Sequence, residues 1–443
     1  MTTIRRVMCG ASSTSFGVFE YTATSKITIK DDTLFGDATI LEHTYSSGAG
    51  KIICNNSITS IQGHYTFQNN NSITSISIPS SVSEMIGTFL NCPNLTRVNT
   101  SELSAWLNIN FRGATSNPLN EGAKLYVNGE ELTELIINQS VKPYAFYGTS
   151  SLTTVSISNN TSPISIGHSA FSRCSALNTV TLNNVEYWGD YCFNDIAAST
   201  ILHNGDMHLT YFGANYSQKA TLEVLGDIET VAGKTFGTGC FNNMIVHGNV
   251  HLAEGIRLGG NANNGGISAF QNCVLNSVTV SSLSLAYMSF KGSTIETVNI
   301  TDFLSWMAFT NRSAIYPDLF IKNTKTLLIE GTVREDLIIP DNITSITDGI
   351  LMDFPSIKAV KVLGNIENIG VAPFNGCTSL EYIDLSSQIT VPTLSEYKSW
   401  KYGNITTIVP DALYDEWIAA TNWSTYASHI IKKSDWDASQ TTE

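Results

Sequence analysis

The chain runs to 443 residues with a net charge of −14, and only 14% of it is charged, against about 25% in ordinary soluble proteins. Serine, threonine and asparagine make up the deficit, so the expected surface is polar but weakly charged. No basic run stands among the 24 lysines and arginines, which excludes nucleic acid and anionic membrane as expected partners, and no run of 18 apolar residues predicts a transmembrane helix.

Residues 1–49 show no repeat and are read as an N-terminal cap or attachment segment. Only Val7 and Met8 stand before Cys9, where a lipoprotein leader needs about 7–15 apolar residues. No leader is therefore expected, and a route to the outside such as virion assembly is. Over 19–29 apolar and polar residues alternate, which predicts a strand. This segment is expected to cover an open sheet end or to join copies, for instance as a trimer.

From residue 50 to 390 the chain repeats. Phe-x-x-Cys occurs at Phe89/Cys92, Phe171/Cys174, Phe270/Cys273 and Phe374/Cys377, with degenerate copies at Phe67, Phe146, Phe193, Phe236 and Phe290. The period of 20 to 25 residues between neighbours such as Phe67 and Phe89, Phe146 and Phe171, or Phe270 and Phe290 predicts a solenoid, whose units bury their apolar faces only by stacking. The best-preserved stretch reads Leu152-x-x-Val155-x-Ile157, then Ile166-Gly167-x-x-Ala170-Phe171-x-x-Cys174, then Leu177-x-x-Val180-x-Leu182 and Val185-x-x-Trp188-Gly189-x-x-Cys192-Phe193. The alternating end of Leu-x-x-Val-x-Leu predicts a short strand with one face buried. The glycine is expected to supply a sharp turn, and the phenylalanine and cysteine to fill the coil, the cysteine as a free buried thiol.

Two inserts interrupt the repeat, at 101–140 and 301–340. Leu103-Ser104-Ala105-Trp106 matches Phe303-Leu304-Ser305-Trp306, and the Asn128-Gly129 block before Leu135-Ile136-Ile137 matches Glu330-Gly331 before Leu337-Ile338-Ile339. Each predicts a turn whose tryptophan plugs the core, followed by a hairpin. Between about 200 and 265 the spacing is irregular, and Gly259–Gly266 is expected to be a loop. Residues 391–443 form a C-terminal cap and polar tail. Asp411 is expected to N-cap a helix over 412–420, with Trp417 and Trp423 packed over the last coil and 439–443 as the tail.

The unit Leu-x-x-Ile-x-Ile-Pro-x-x-Val-x-x-Ile-Gly-x-x-Ala-Phe-x-x-Cys, met most fully at 152–193, resembles the BspA-like leucine-rich repeat family. The resemblance implies a repeat solenoid, mainly β with short helical pieces, an N-terminal strand cap and a C-terminal helical cap. It further implies adhesion rather than catalysis, because the family occurs on bacterial surfaces, in anaerobic protists and in bacteriophage proteins. Phage-associated members open with a Tyr-Thr-Ala segment like that at Tyr21, and the Val409-Pro410 to Trp417 block resembles the family's terminal cap.

No catalytic constellation is legible. Asp31-Asp32, Glu130-Glu131 and Glu335-Asp336 are sequence neighbours, and on strands such neighbours point to opposite faces. His247 and His251 on extended chain lie about 13 Å apart, too far to share a zinc, while His203 and His208 face opposite ways. Neither an enzyme nor a cofactor nor a metal is expected. The outward strand positions carry Thr74, Ser75 and Ser77, Thr153, Thr154 and Ser156, Asn178, Thr179 and Thr181, and Asn276, Ser277 and Thr279. Stacked, they predict either a solvated sheet face or a shallow surface for glycan or a partner protein. Tyr187, Tyr211, Phe212 and Tyr216 are the candidate aromatic platforms for a sugar. The expected protein is a phage fibre, spike or decoration protein that holds host-surface glycan or protein alongside other virion proteins. Alternatives are a bacterial surface or secreted adhesin, and a polysaccharide-cleaving tailspike, which would need three strands per coil and carboxylates gathered in one groove.

Overall fold

The computed structural model describes residues 16–30, 33–62, 66–87, 89–157, 161–214, 219–236, 239–254, 256–258, 270–280, 290, 292–307, 324–395, 400 and 405–441. The loop at 259–266, the pair Asp31-Asp32 and Cys9 lie outside them. The chain divides into two compact units, one taking residues up to Leu202 with a short segment ending at Thr221, the other the remainder. Both are repeat solenoids built mainly from short strands.

In the first unit, strands Gly17–Ala23, Ile40–Ser46 and Ala49–Cys54 form an antiparallel meander. The last two join through Ser47 and Gly48, left-handed at φ 51° and 84°, as a two-residue hairpin of matching twist requires. Strand Gly17–Ala23 then pairs antiparallel with Ile73–Ile78, after which Arg97–Thr100 and Lys124–Val127 follow in parallel. The N-terminal strand ends at Ala23, with a register shift after Thr22, short of the stretch to 29 that alternation predicted. A second parallel sheet runs through Glu134–Ile137, Thr154–Ile157 and Thr179–Asn183.

The second unit is built mainly from parallel strands. Thr221–Val224, Met244–Leu252, Val274–Val280, Thr294–Ile300 and Thr326–Ile329 are parallel neighbours. A fresh parallel sheet follows, of Asp336–Ile339, Ala359–Val362, Tyr382–Asp384, Thr406–Val409 and Ile430–Lys432. Coils also carry a second, shorter strand, as in the stacks Ser60–Ile61, Glu84–Met85, Asn110–Phe111 and Ser345–Ile346, Asn368–Ile369, Thr393–Leu394.

Both inserts end a sheet in the same way. The helices Leu103–Leu107 and Phe303–Met307 bury Trp106 and Trp306. Their indole N–H groups donate to the carbonyls of Ala145 at 2.9 Å and Ile350 at 3.1 Å. Each tryptophan is thus a core plug that also clips the coil beyond the insert. The hairpins that follow turn on Asn128-Gly129 and Glu330-Gly331, left-handed at all four residues.

The interior is a column of phenylalanines. Phe146, Phe171 and Phe193 stack with ring centroids 5.3 and 5.1 Å apart and planes within 6°, and Phe241, Phe270 and Phe290 stack at 4.3 and 4.9 Å. These separations follow the strand spacing of about 4.8 Å. The cysteine of each repeat donates its thiol to a carbonyl of the coil before. Cys92 reaches Phe67 at 2.8 Å, Cys174 reaches Phe146 at 3.1 Å, Cys273 reaches Phe241 at 2.8 Å and Cys377 reaches Leu351 at 3.0 Å. All seven described cysteines are buried and free. Burial pushes the thiols of Cys273 and Cys377 up to about 12.

The backbone around each phenylalanine alternates handedness. Two residues after it stands a left-handed residue: Asn69, Asn91, Gly148, Arg173, Asp195, Asn243, Asn272, Gly292 and Gly376, with Asp353 after Leu351. Two residues before it stand Gly87, Tyr144, Ser169, Tyr191, Gly239 and Ala372, again left-handed. The alternation aims successive N–H groups at the next coil: those of Tyr144, Phe146 and Gly148 donate to the carbonyls of His168, Ala170 and Ser172, and those of Gly349, Leu351 and Asp353 to Val371, Pro373 and Asn375. This ladder satisfies turn backbone that would otherwise be orphaned.

The glycine of the Ile-Gly pair has a different role from the expected one. Gly167, Gly189 and Gly370 are not left-handed. A Cβ on Gly189 would meet the His168 nitrogen at 2.3 Å and the Gly167 carbonyl carbon at 2.4 Å, and one on Gly167 would meet the Pro143 nitrogen at 2.4 Å. These glycines are there because the neighbouring coil passes too close for any side chain.

At the C-terminus Trp417 and Trp423 are fully buried, 4.6 Å apart, and Trp400 packs on Trp423 at 5.0 Å. Asp411 departs from its expected role. It opens a 3-10 turn, Asp411–Leu413, and its carboxylate accepts the backbone N–H of Ser434 at 3.0 Å. It therefore caps the last helix, Lys433–Gln440, from a distance, and hydrogen bonding from the Ser434 side chain, then from its backbone N–H, holds its carboxyl below the usual range. Ser439 and Gln440, expected in a tail, belong to that helix, whose Trp436 lies 4.8 Å from the ring of Tyr382.

Candidate binding site

The outward strand positions fall into register rows. Thr154 stands beside Thr179 and Ser156 beside Thr181, while Ser277, Thr297 and Thr326 form one row and Thr279 and Asn299 another. These side chains are partly or fully accessible. The rows are not uniform. Ser75 and Ser77 continue into Arg97, Asn99, Lys124 and Tyr126, where the Arg97 guanidinium lies 3.7 Å from the Tyr126 ring centroid and Lys124 pairs with Glu131 at 3.0 Å. Hydrogen bonding to Lys124 holds the Glu131 carboxyl below its ordinary range. Ile136 lies beside Ser156 and is 69% exposed.

On the turn side of the first unit, a groove of about 930 Å³ runs over consecutive coils, lined among others by Glu121, Tyr147, Ser150, Arg173, Ser175 and Asp195. Tyr147 follows Phe146, Arg173 is two residues past Phe171, and Asp195 is two past Phe193, so the repeat itself brings the three to one surface. The Arg173 guanidinium lies 5.9 Å from the Tyr147 ring centroid. The Tyr147 hydroxyl and then the Asp195 carboxylate raise its pKa further. Arg173 is left-handed at φ 60°, and the flanking coils place Tyr144 and Tyr191 left-handed at φ 61° and 56°. Tyr144, His168 and Tyr191 make an edge-on aromatic series, with centroids 5.1 and 6.1 Å apart.

The repeat seen in these coils is also found by comparison. The profile of the BspA type leucine-rich repeat region matches six copies, over residues 12–113, 139–250 and 330–410. The chain belongs to the BspA-type leucine-rich repeat family. No curated protein matches it. Among solved structures, the crystal structure of the pneumococcal vaccine antigen PcpA is similar at 16% identity, over 81% of this chain and 77% of that one, with a TM-score of 0.27.

Of the candidate aromatics of the sequence reading, Tyr187 and Tyr211 stand on short strands, Val185–Trp188 and Tyr211–Phe212. Tyr187, 39% exposed on strand Val185–Trp188, belongs to the first unit. Tyr211 is half-buried in the second, and Phe212 beside it is 2% exposed, its ring 5.1 Å from Phe241 in the core column. Phe212 is thereby removed as a sugar platform, and Tyr216 lies outside the described residues. The groove residues Tyr147, Arg173 and Asp195 went unnoticed, although the arginine in a slot otherwise filled by Asn, Asp or Gly is visible in the sequence.

The histidines behave as strand-borne side chains. His247 and His251 share strand Met244–Leu252 and pair with different carboxylates, Glu223 at 2.8 Å and Asp227 at 3.7 Å. His203 is buried on strand Thr200–Asn204, and burial lowers its pKa to about 4, whereas His208 is exposed on the separate strand Met207–Leu209. Among the described residues no group of three or more His, Cys, Asp or Glu is placed to hold a metal.

Proposed function

We propose that this BspA-type solenoid is a non-enzymatic adhesion protein, carried on a bacteriophage particle as a fibre, spike or decoration protein and holding glycan or protein on the host surface. The observation that carries the reading is the set of outward rows, hydroxyl and amide in register from coil to coil. Such rows offer repeated weak contacts to an extended partner, and multivalency converts weak contacts into firm attachment. The low share of charged residues, 14%, suits a neutral, hydrogen-bonding partner better than a charged one. Some exposed carboxylates are held in local pairs, as Glu131 is with Lys124 and Glu335 with Lys358 at 2.7 Å.

Two measurements test this. Antibodies to the protein, used in immunogold electron microscopy, should decorate phage particles; labelling of bacterial envelopes instead would move the protein to the cell-surface reading. Fluorescent protein should bind intact cells saturably, and a Thr154→Glu/Thr179→Glu variant should bind several-fold more weakly. A protein that binds no cell in a broad panel is not an adhesin.

A further inference from the structure

We propose that the turn-side groove of the first unit is a combining site for a neutral saccharide, with Arg173 and Asp195 binding its hydroxyls and Tyr147 packing against its ring. The argument begins with residue choice. The coil-to-coil ladder demands a left-handed residue two positions after each phenylalanine, and nine of the ten such positions named above carry Asn, Asp or Gly. Those residues adopt that conformation at little cost, whereas a bulky side chain there is an outlier costing of the order of 1 kcal/mol. Arg173 alone accepts that cost, and its guanidinium lines the groove. An ordinary structural requirement would be met better by asparagine, so the arginine serves something other than the fold.

The chemistry selects the ligand class. A guanidinium only donates hydrogen bonds and a carboxylate only accepts them. Set on adjacent coils, Arg173 and Asp195 complement a pair of neighbouring hydroxyls, each of which can do both. Tyr147, half-buried and lining the same groove, supplies an aromatic ring for the C–H side of a pyranose ring. With Glu121 and Asp195 facing one arginine, the groove is net acidic, so an anionic sugar is disfavoured and a neutral one fits.

This site rests on the adhesion reading, and the experiment separates the two. The full chain is applied to an array of neutral hexose and N-acetylhexosamine oligosaccharides alongside sialylated and uronate-bearing ones, and the best neutral oligosaccharide is titrated by calorimetry. Binding to neutral members is expected. Arg173→Asn should weaken it at least tenfold while leaving the unfolding midpoint unchanged or raised, and Asp195→Asn should weaken it while leaving the fold intact. The stability readout distinguishes a ligand contact from a structural role. Binding that Arg173→Asn leaves unaltered, binding confined to acidic glycans, or no glycan binding at all overturns the site. If cells are bound while every glycan is refused, the adhesion reading stands and only the saccharide site falls; if neither is bound, both fall.

Discussion

At the residue scale, backbone proximity governs this protein more than side-chain propensity does. Gly189→Ala should destabilise the first unit by about 2 kcal/mol or more, because backbone atoms of the previous coil stand where the methyl would go and cannot move without disturbing their own ladder; urea unfolding measures it. The Ile-Gly pair was legible in the sequence as a repeat mark, but its cause was not, since a conformational glycine and a contact glycine look alike in one chain. The left-handed slot after each phenylalanine was legible in principle, as the recurrent Asn, Asp or Gly before the cysteine. His203 gives a second test. Its folded pKa is lowered to about 4 from 6.5, so the unfolded chain binds the extra proton first and stability is lost as pH falls below 6.5. Between pH 7 and pH 5 this group alone should cost about 2 kcal/mol, and His203→Asn should show a smaller loss over the same interval in urea titrations.

At the element scale, the two inserts show how a solenoid ends one sheet and begins another without opening its core. A short helix drives a tryptophan inward, a left-handed hairpin closes the old sheet, and the indole N–H fixes the next coil. Trp106→Phe retains most of the packing but loses the bond to Ala145, and should cost about 1 kcal/mol, read as a lower thermal midpoint. Trp306→Phe should behave alike through Ile350. This duplication was visible in the sequence because Trp, Asn-Gly or Glu-Gly and Leu-Ile-Ile recur at matching offsets. The second strand of each coil was not visible, because two-residue strands such as Glu84–Met85 are too short to show alternation. The last helix was missed for a similar reason. Its cap, Asp411, is 23 residues away from Ser434, and a cap supplied from so far along the chain leaves no local mark.

At the scale of the whole molecule, the proposed adhesion role entails attachment without chemistry on what is held. Within each unit, repetition sets hydroxyl and amide side chains of neighbouring strands in register, and in the first unit the turns build a groove. The most direct test is to incubate the full chain with surface polysaccharide extracted from cells that it binds, and to follow the size distribution of the polysaccharide by gel filtration. The account predicts that protein co-elutes with polysaccharide whose size distribution does not change over hours. A progressive shift to shorter chains, with new reducing ends, would contradict it and identify a depolymerase.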